Sequence, residues 1–145
     1  AKSGLPVVLM HLLGEPRTMQ QAPAYINVVD DVMTFLSARV VECEQAGIDH
    51  DKIILDPGFG FGKTLDHNIS LFRALPALVA LGLPIMVGLS RKRMIGDVLN
   101  KPVAERAFGS IALALMAAQK GASLIRVHDV GGTVDALKVL AAIES

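Results

Sequence analysis

The strongest constraint on the fold is a rhythm. Four short apolar runs, apolar on both faces, alternate with four longer amphipathic or alanine-rich segments. The runs are Pro6–Met10, Lys52–Leu55, Pro84–Val87 and Ser123–Val127, and each ends in a polar residue or a glycine loop. Continuous apolar runs without alternation predict strands buried on both faces, as in parallel sheets. Between them, Tyr25 to Ala46 carries Tyr25, Val28, Val29, Val32, Leu36, Val40 and Cys43 on one helical stripe, with Gly47 as a stop. Asn68 to Leu81 is a second helix that Pro76 should kink or split. Val103 to Lys120 is a third. Thr133 is placed to cap a fourth, Val134 to Ile143, with Leu137, Leu140 and Ala141 inward. Arg91 to Leu99 reads as a short extra helix.

The order is βαβαβαβα, which implies α/β architecture with parallel strands. Chemistry in such folds sits at the C-terminal ends of the strands. Those ends carry His11, Asp56, Ser90–Lys92 and Arg126–His128. Their coincidence is the main functional signal in the residues themselves.

Composition narrows the classes. The 145 residues hold 14 Lys plus Arg against 14 Asp plus Glu, so no basic excess exists for nucleic acid or an anionic membrane. At 52% hydrophobic residues the chain is not a disordered segment. The longest uncharged stretch, Ala74 to Ser90, contains two prolines and falls short of the roughly 20 residues of a spanning helix. Cys43 is the single cysteine, which excludes an internal disulfide and points to a reducing, cytoplasmic compartment.

The glycine-rich segment Asp56-Pro57-Gly58-Phe59-Gly60-Phe61-Gly62-Lys63-Thr64 invites a phosphate-loop reading, which fails on counting. One motif needs glycine where Pro57 stands, and the other needs it where Lys63 stands. What remains is a loop whose backbone can approach a flat ligand behind a carboxylate. Asp56-Pro57-Gly58 is equally ordinary turn chemistry. Ser90-Arg91-Lys92-Arg93 is either a solvated basic run or an anion site at a strand end. Arg126 and His128 flank Val127 and so project to one side, suited to an anionic group. The bland alternatives are an ion pair for Arg126 and a core histidine for His128. His11, His50 and His67 show no metal-ligand spacing, and Cys43 falls on a packing stripe.

Taken together these segments resemble the dihydropteroate synthase family. The matching residues are Leu9-Met10-His11, then Gly14 with Pro16, Arg17, Thr18, Met19 and Gln20; Leu55 through Thr64 with His67 and Asn68; Val87-Gly88-Leu89-Ser90-Arg91-Lys92 with Ile95 and Gly96; and Arg126-Val127-His128-Asp129-Val130. The resemblance implies a (β/α)8 TIM-type barrel, of which residues 1–145 match the C-terminal half, the last four βα units. It implies condensation of 6-hydroxymethyl-7,8-dihydropterin diphosphate with 4-aminobenzoate to 7,8-dihydropteroate, a step of folate biosynthesis and the target of sulfonamides. Asp56 is then expected on the amino-pyrimidine edge of the pterin and Lys92 on its oxo group and ring nitrogen. Arg126 would pack on the pterin and reach the diphosphate, with His128. Lys92, Arg126 and His128 are the expected catalytic set. Met10, Phe59, Gly60, Phe61, Gly88, Ser90 and Arg93 complete the expected substrate-binding residues. Arg93 stands where the family commonly has a serine that helps hold the aminobenzoate carboxylate.

Mg2+ is expected from the same resemblance, with its protein ligand outside this chain, as is a cytoplasmic homodimer. A barrel takes about 250 residues, and the chain begins with Ala1. The expectation is therefore a chain cut from something longer, incomplete for turnover alone. Two rival readings remain: the pterin-binding module of a folate-dependent methyltransferase, which releases no diphosphate, and an inactive half-barrel that assembles with itself.

Overall fold

The computed structural model describes residues 1–14 and 23–144. Pro16, Arg17, Thr18, Met19 and Gln20, part of the matched sequence, lie outside the described residues. Four short strands alternate with helices: β1 (Val7–Met10), α1 (Val28–Gln45), β2 (Ile53–Asp56), α2 (Leu65–Arg73), α3 (Leu75–Val79), β3 (Met86–Val87), α4 (Arg93–Leu99), α5 (Ala107–Gln119), β4 (Leu124–Ile125) and α6 (Val130–Glu144). Single 3-10 turns at His50–Lys52 and Val103–Glu105 precede β2 and α5.

The strands pair in parallel, but the expected burial on both faces fails at the two outer strands. Val8, Met10 and Leu124 are 36–43% exposed, because β1 and β4 lie at the ends of the strand order. β1 and β2 run in register from Val7 opposite Ile53 to Met10 opposite Asp56. β3 and β4 share two pairs, Met86 with Leu124 and Val87 with Ile125. A bridge between Leu55 and Ile85 joins the two ladders, and the Leu55 N–H donates to the Pro84 carbonyl at 2.9 Å. Ile53, Leu55, Ile85 and Val87 are each at most 1% exposed. Helices cover them from one side: Val32 and Leu36 from α1, Leu71 and Phe72 from α2, and Leu75 and Leu78 from α3. Truncating any such leucine to alanine costs about 2–5 kcal/mol.

Local signals set most boundaries. Asn27 caps α1, its side chain accepting from Val29 and Asp30. Thr64 and His67 form a reciprocal capping box that starts α2 three residues before the sequence predicts. The predicted split at Pro76 appears as the break between α2 and α3, with Pro76 in the first turn of α3, where its missing N–H costs nothing.

Three further expectations are corrected. Thr133 caps nothing: α6 begins at Val130, and the Thr133 hydroxyl donates back to the Asp129 carbonyl at 2.8 Å from inside the helix. Ala141 is exposed, while Leu137 and Leu140 are half-buried. The helix predicted from Val103 is also divided. Arg106 sits between the 3-10 turn and α5, outside helical geometry.

Candidate pterin and anion site

All four strands point the same way, so their C-terminal ends gather polar groups at one rim. At the first two ends the groups are locked. The His11 N–H donates to the Asp56 carbonyl at 3.0 Å, extending the β1–β2 ladder one step. Asp56 is 4% exposed, and its Oδ1 accepts the Gly58 N–H at 2.8 Å. The turn reading and the ligand reading of Asp56 are therefore compatible. One oxygen makes the turn, and Oδ2 takes no hydrogen bond among the described residues. Burial pushes the carboxyl above the usual carboxylate range, against the Gly58 N–H, Lys92, Arg126 and Lys63. A buried carboxylate flanked by cations, with a free oxygen, is an acceptor for an N–H/NH2 pair.

The glycine loop folds back on itself through Lys63. Its Nζ reaches His11 Nδ1 at 2.9 Å, the Gly58 carbonyl at 2.9 Å and the Phe61 carbonyl at 3.1 Å, so its three protons have three partners. Burial lowers Lys63 to about 8, with Asp56 opposing. His11 falls to about 4, through burial and then Lys63. A neutral His11 thus accepts at Nδ1 from the Lys63 ammonium. Asn68 adds a second tie, its Oδ1 accepting the Gly60 N–H at 2.8 Å, and the Tyr25 hydroxyl donates to the Gly62 carbonyl at 2.8 Å. Sequence counting denied Lys63 a phosphate-loop role, and the structure shows what it does instead: it holds its own loop.

At the other two ends the groups surround open space. Gly88, Ser90, Arg91, Lys92, Val103, Arg126, Val127 and His128 line a cavity of about 480 Å³. Ser90 Oγ lies 3.0 Å from His128 Nδ1 and accepts the His128 N–H at 3.2 Å. The Arg126 guanidinium lies over Gly88, where a Cβ would stand 2.9 Å from Nη2. Arg126, His128 and Lys92 line this one cavity, but strand alternation is not what gathers them: β4 ends at Ile125, and the intervening Val127 lines the cavity too.

Lys92 connects the two ends. Its Nζ donates to the Phe59 carbonyl and sits 4.3 Å from the centroid of the Phe61 ring. Burial lowers Lys92 to about 8, with Asp56 opposing and Arg126 adding to the fall. It also lines a second cavity of about 570 Å³, with Gly60, Phe61, Lys63 and Arg93.

A match to the pterin binding enzyme family model covers residues 1–128. The chain is 54% identical over 138 residues to the dihydropteroate synthase of Haemophilus influenzae, covering 95% of this chain and 50% of that protein. To the Escherichia coli K12 dihydropteroate synthase it is 51% identical over 142 residues, again covering 50% of that protein. The chain belongs to the pterin-binding enzyme family. Among solved structures, a Yersinia pestis dihydropteroate synthase in a sulfonamide drug complex superposes with TM-score 0.96 at 47% identity, over 99% of this chain and 53% of that one. A Xanthomonas albilineans dihydropteroate synthase with 4-aminobenzoic acid gives 0.93 at 47%, over 100% and 51%. The chain thus spans about half the length of the relatives it matches. Its parallel βα units are those of part of a TIM barrel.

Set against that family, several expected site residues fall in unexpected places. Phe59 is 1% exposed, its ring 6.1 Å from that of Phe72, so the residue reaches the rim through its carbonyl, not its ring. Burial of a large ring in the core outweighs its use as a cavity wall. Gly60 and Phe61 line the larger cavity. Met10 ends β1 opposite Asp56 and is 36% exposed. The Arg93 side chain is 88% exposed, with Nε 3.5 Å from Asp97. Sequence reading assigned nothing to Lys63, Asn68, Arg106 or Ser110. Only Lys63 and Asn68 sat inside a matched motif that could have flagged them.

Mg2+ does not fit the residues described. No group of three or more His, Cys, Asp or Glu lies together among them. The rim offers ammonium and guanidinium groups where Mg2+ takes oxygen ligands.

Proposed function

We propose that this protein provides the pterin and diphosphate end of a dihydropteroate synthase site, built on the last four βα units of the barrel. In that reaction the aniline nitrogen of 4-aminobenzoate attacks the methylene carbon of 6-hydroxymethyl-7,8-dihydropterin diphosphate. The carbon–oxygen bond to diphosphate breaks, diphosphate leaves with the bonding pair, and the nitrogen loses its proton. Asp56 holds the amino-pyrimidine edge, and Lys92 the oxo side. Arg126 and His128 meet the charge that develops on the leaving diphosphate, the term such catalysis depends on most. The cavity beside Gly60 and Phe61 takes the aromatic nucleophile and holds it in line.

One observation carries the reading. Lys92 lines both the cavity it shares with Arg126 and His128 and the cavity beside Gly60 and Phe61, and its Nζ sits on the carbonyl of Phe59, in the loop that follows the buried Asp56 carboxylate. A pterin module that released no diphosphate would need the carboxylate but not the cationic cavity, so that alternative explains half of the site. The 4-aminobenzoic acid complex of the Xanthomonas protein supports the second substrate. Asp56→Asn tests the reading. An amide donates where the pterin edge also donates, so affinity for a dihydropterin should fall by about 10- to 100-fold in calorimetry. Unchanged affinity overturns it.

Self-association and a cytoplasmic setting belong to the same reading. Val98 and Phe108 are 64% and 85% exposed on the α4–α5 side of the molecule, which supports a homodimer that sedimentation would detect. The free thiol of Cys43 suits a reducing compartment. No helix among the described residues is long and apolar enough to cross a membrane.

A further inference from the structure

The three consecutive cations after β3 are used in three different ways. Lys92 turns into the rim and Arg93 turns out to Asp97. Arg91 reaches across to the loop after β4, where Nε meets Asp129 Oδ2 at 3.2 Å and Nη2 meets Oδ1 at 2.6 Å. Two parallel contacts make this a directional tie. The β3–β4 ladder has only two residue pairs and ends with the Arg126 N–H on the Val87 carbonyl, so beyond it the two loops are joined by side chains, through this ion pair and the Ser90 contacts to His128.

The backbone around Arg91 is held with equal care. Its φ is +60°, a left-handed conformation that residues with a Cβ adopt only under constraint. The Arg91 N–H donates to Ser110 Oγ at 3.0 Å. Arg106 Nη1 donates to the carbonyls of Arg91 at 3.1 Å and Lys92 at 3.4 Å. Gly96 makes room for that guanidinium, since a Cβ there would lie 2.1 Å from Nη2. On the far side, the Asp129 carbonyl accepts from the N–H and hydroxyl of Thr133 in α6.

We propose that Arg91 and Asp129 are positioning residues whose ion pair ties the loop after β3 to the loop after β4 and so sets the spacing of Lys92 from Arg126 and His128. Asp129 does not line the cavity; Arg91 lines it, but with its Nε and Nη2 both turned to Asp129. The proposal rests on reading the cavity as a diphosphate site.

A test of sign separates this role from simple electrostatics. Asp129 places a negative charge beside an anion site, so the field alone predicts tighter anion binding when it is removed. The tie predicts weaker binding. Inorganic pyrophosphate is titrated by calorimetry into the wild type, Arg91→Gln, Asp129→Asn and the exchanged pair Arg91→Asp with Asp129→Arg. Amide hydrogen exchange is followed at His128, whose N–H depends on Ser90, and at Leu55 in the core. Each single variant should bind about fivefold more weakly, and the exchanged pair should recover to within about twofold. His128 should exchange faster in both single variants, with Leu55 unchanged. Equal or tighter binding by Asp129→Asn, or unaltered exchange at His128, overturns the proposal. A wild type that does not bind pyrophosphate overturns the diphosphate reading instead. The exchange data then decide the tie alone: faster exchange restored in the exchanged pair supports it, and unaltered exchange overturns it.

Discussion

The two pairs of strand ends solve opposite problems. Around β1 and β2, four residue pairs, a buried lysine and two side-chain ties fix a loop so tightly that Asp56 is 4% exposed. Around β3 and β4, two residue pairs lead into loops that enclose open space and cations. The first region suits recognition of a neutral, flat, hydrogen-bonding edge, where burial raises the value of each contact and the penalty for a mismatch. The second suits a group carrying several charges, where an open rim keeps the cations hydrated until the anion arrives. The lesson is that the first region combines a longer ladder with buried side-chain ties onto backbone, whereas the second relies on side-chain contacts between loops at an open rim.

The same substitution placed in each region breaks or sharpens that contrast. At Gly58, φ is +70° and an added Cβ would stand 1.8 Å from the His11 carbonyl oxygen. Backbone cannot step aside, so Gly58→Ala should destabilise by about 3–5 kcal/mol in urea unfolding. At Gly88 the nearest atom to an added Cβ is the end of the Arg126 side chain, at 2.9 Å. Gly88→Ala should cost less than about 1 kcal/mol of stability, because that side chain can swing away, yet it should weaken pyrophosphate binding. Similar destabilisation by the two would show that both regions are built alike.

Lys63 comes next in size. Lys63→Met leaves the buried carbonyls of Gly58 and Phe61 and the Nδ1 of His11 without their donor. Relief from burying a cation offsets part of that loss, for a net of about 2 kcal/mol. Chemical denaturation measures it. No loss of stability would mean that Asn68 and Tyr25 hold the loop alone.

These cases mark what was legible in the sequence. The burial of the two inner strands could be read directly from their apolar runs, which put Ile53, Leu55, Ile85 and Val87 in the core. So could the break at Pro76, which is covalent in origin. The exposure of Val8, Met10 and Leu124 could not, because it depends on which strands end the order. The shortening of β3 and β4 to two residues each was not readable, because it depends on where the partner strand ends. Nor was the break at Arg106, which has no proline or glycine to announce it. It arises from distant carbonyls, those of Arg91, Lys92 and Lys101, that its guanidinium reaches. In the candidate site, residue types and strand ends were legible. The division of labour among Arg91, Lys92 and Arg93 was not, because one turn sends three adjacent side chains in three directions.

Proton linkage offers a reversible version of the contrast. Lys63 and Lys92 titrate near 8 in the fold and near 10.5 when unfolded. Between those values the unfolded chain binds more protons, so the contribution of both lysines to stability rises with pH. Anion binding should move the other way, because Lys92 loses its charge as pH rises through about 8. Pyrophosphate affinity of the wild type, measured against Lys92→Arg, should fall across that range. Taking the ratio to a variant that stays charged removes the titration of pyrophosphate itself. His11 gives an acid limb. Its folded value near 4 lies below the ordinary 6.5, so its contribution to stability is lost as pH falls from 6.5 towards 4. A Lys92→Arg protein with the same loss above pH 8 would remove Lys92 from the anion site.

The smallest effect is expected at Arg93. The residue lies on the wall of the larger cavity, where the resemblance commonly has a serine, and carries a full positive charge. Its side chain is nevertheless 88% exposed, and its ion pair with Asp97 spans 3.5 Å on the surface of α4. Pairs of that kind contribute little, since water screens them and ordering two long side chains opposes them. Arg93→Ser should therefore change stability by less than about 0.5 kcal/mol. It should change 4-aminobenzoate affinity by less than about threefold, since a mobile charge at the rim attracts a carboxylate without fixing it. Calorimetry at low and high salt separates the two contributions. A difference present only at low salt fits a solvated rim charge. A loss of tenfold or more that survives high salt would mean that Arg93 folds inward onto the carboxylate, and the second cavity would then share the side-chain-built character of the β3–β4 rim.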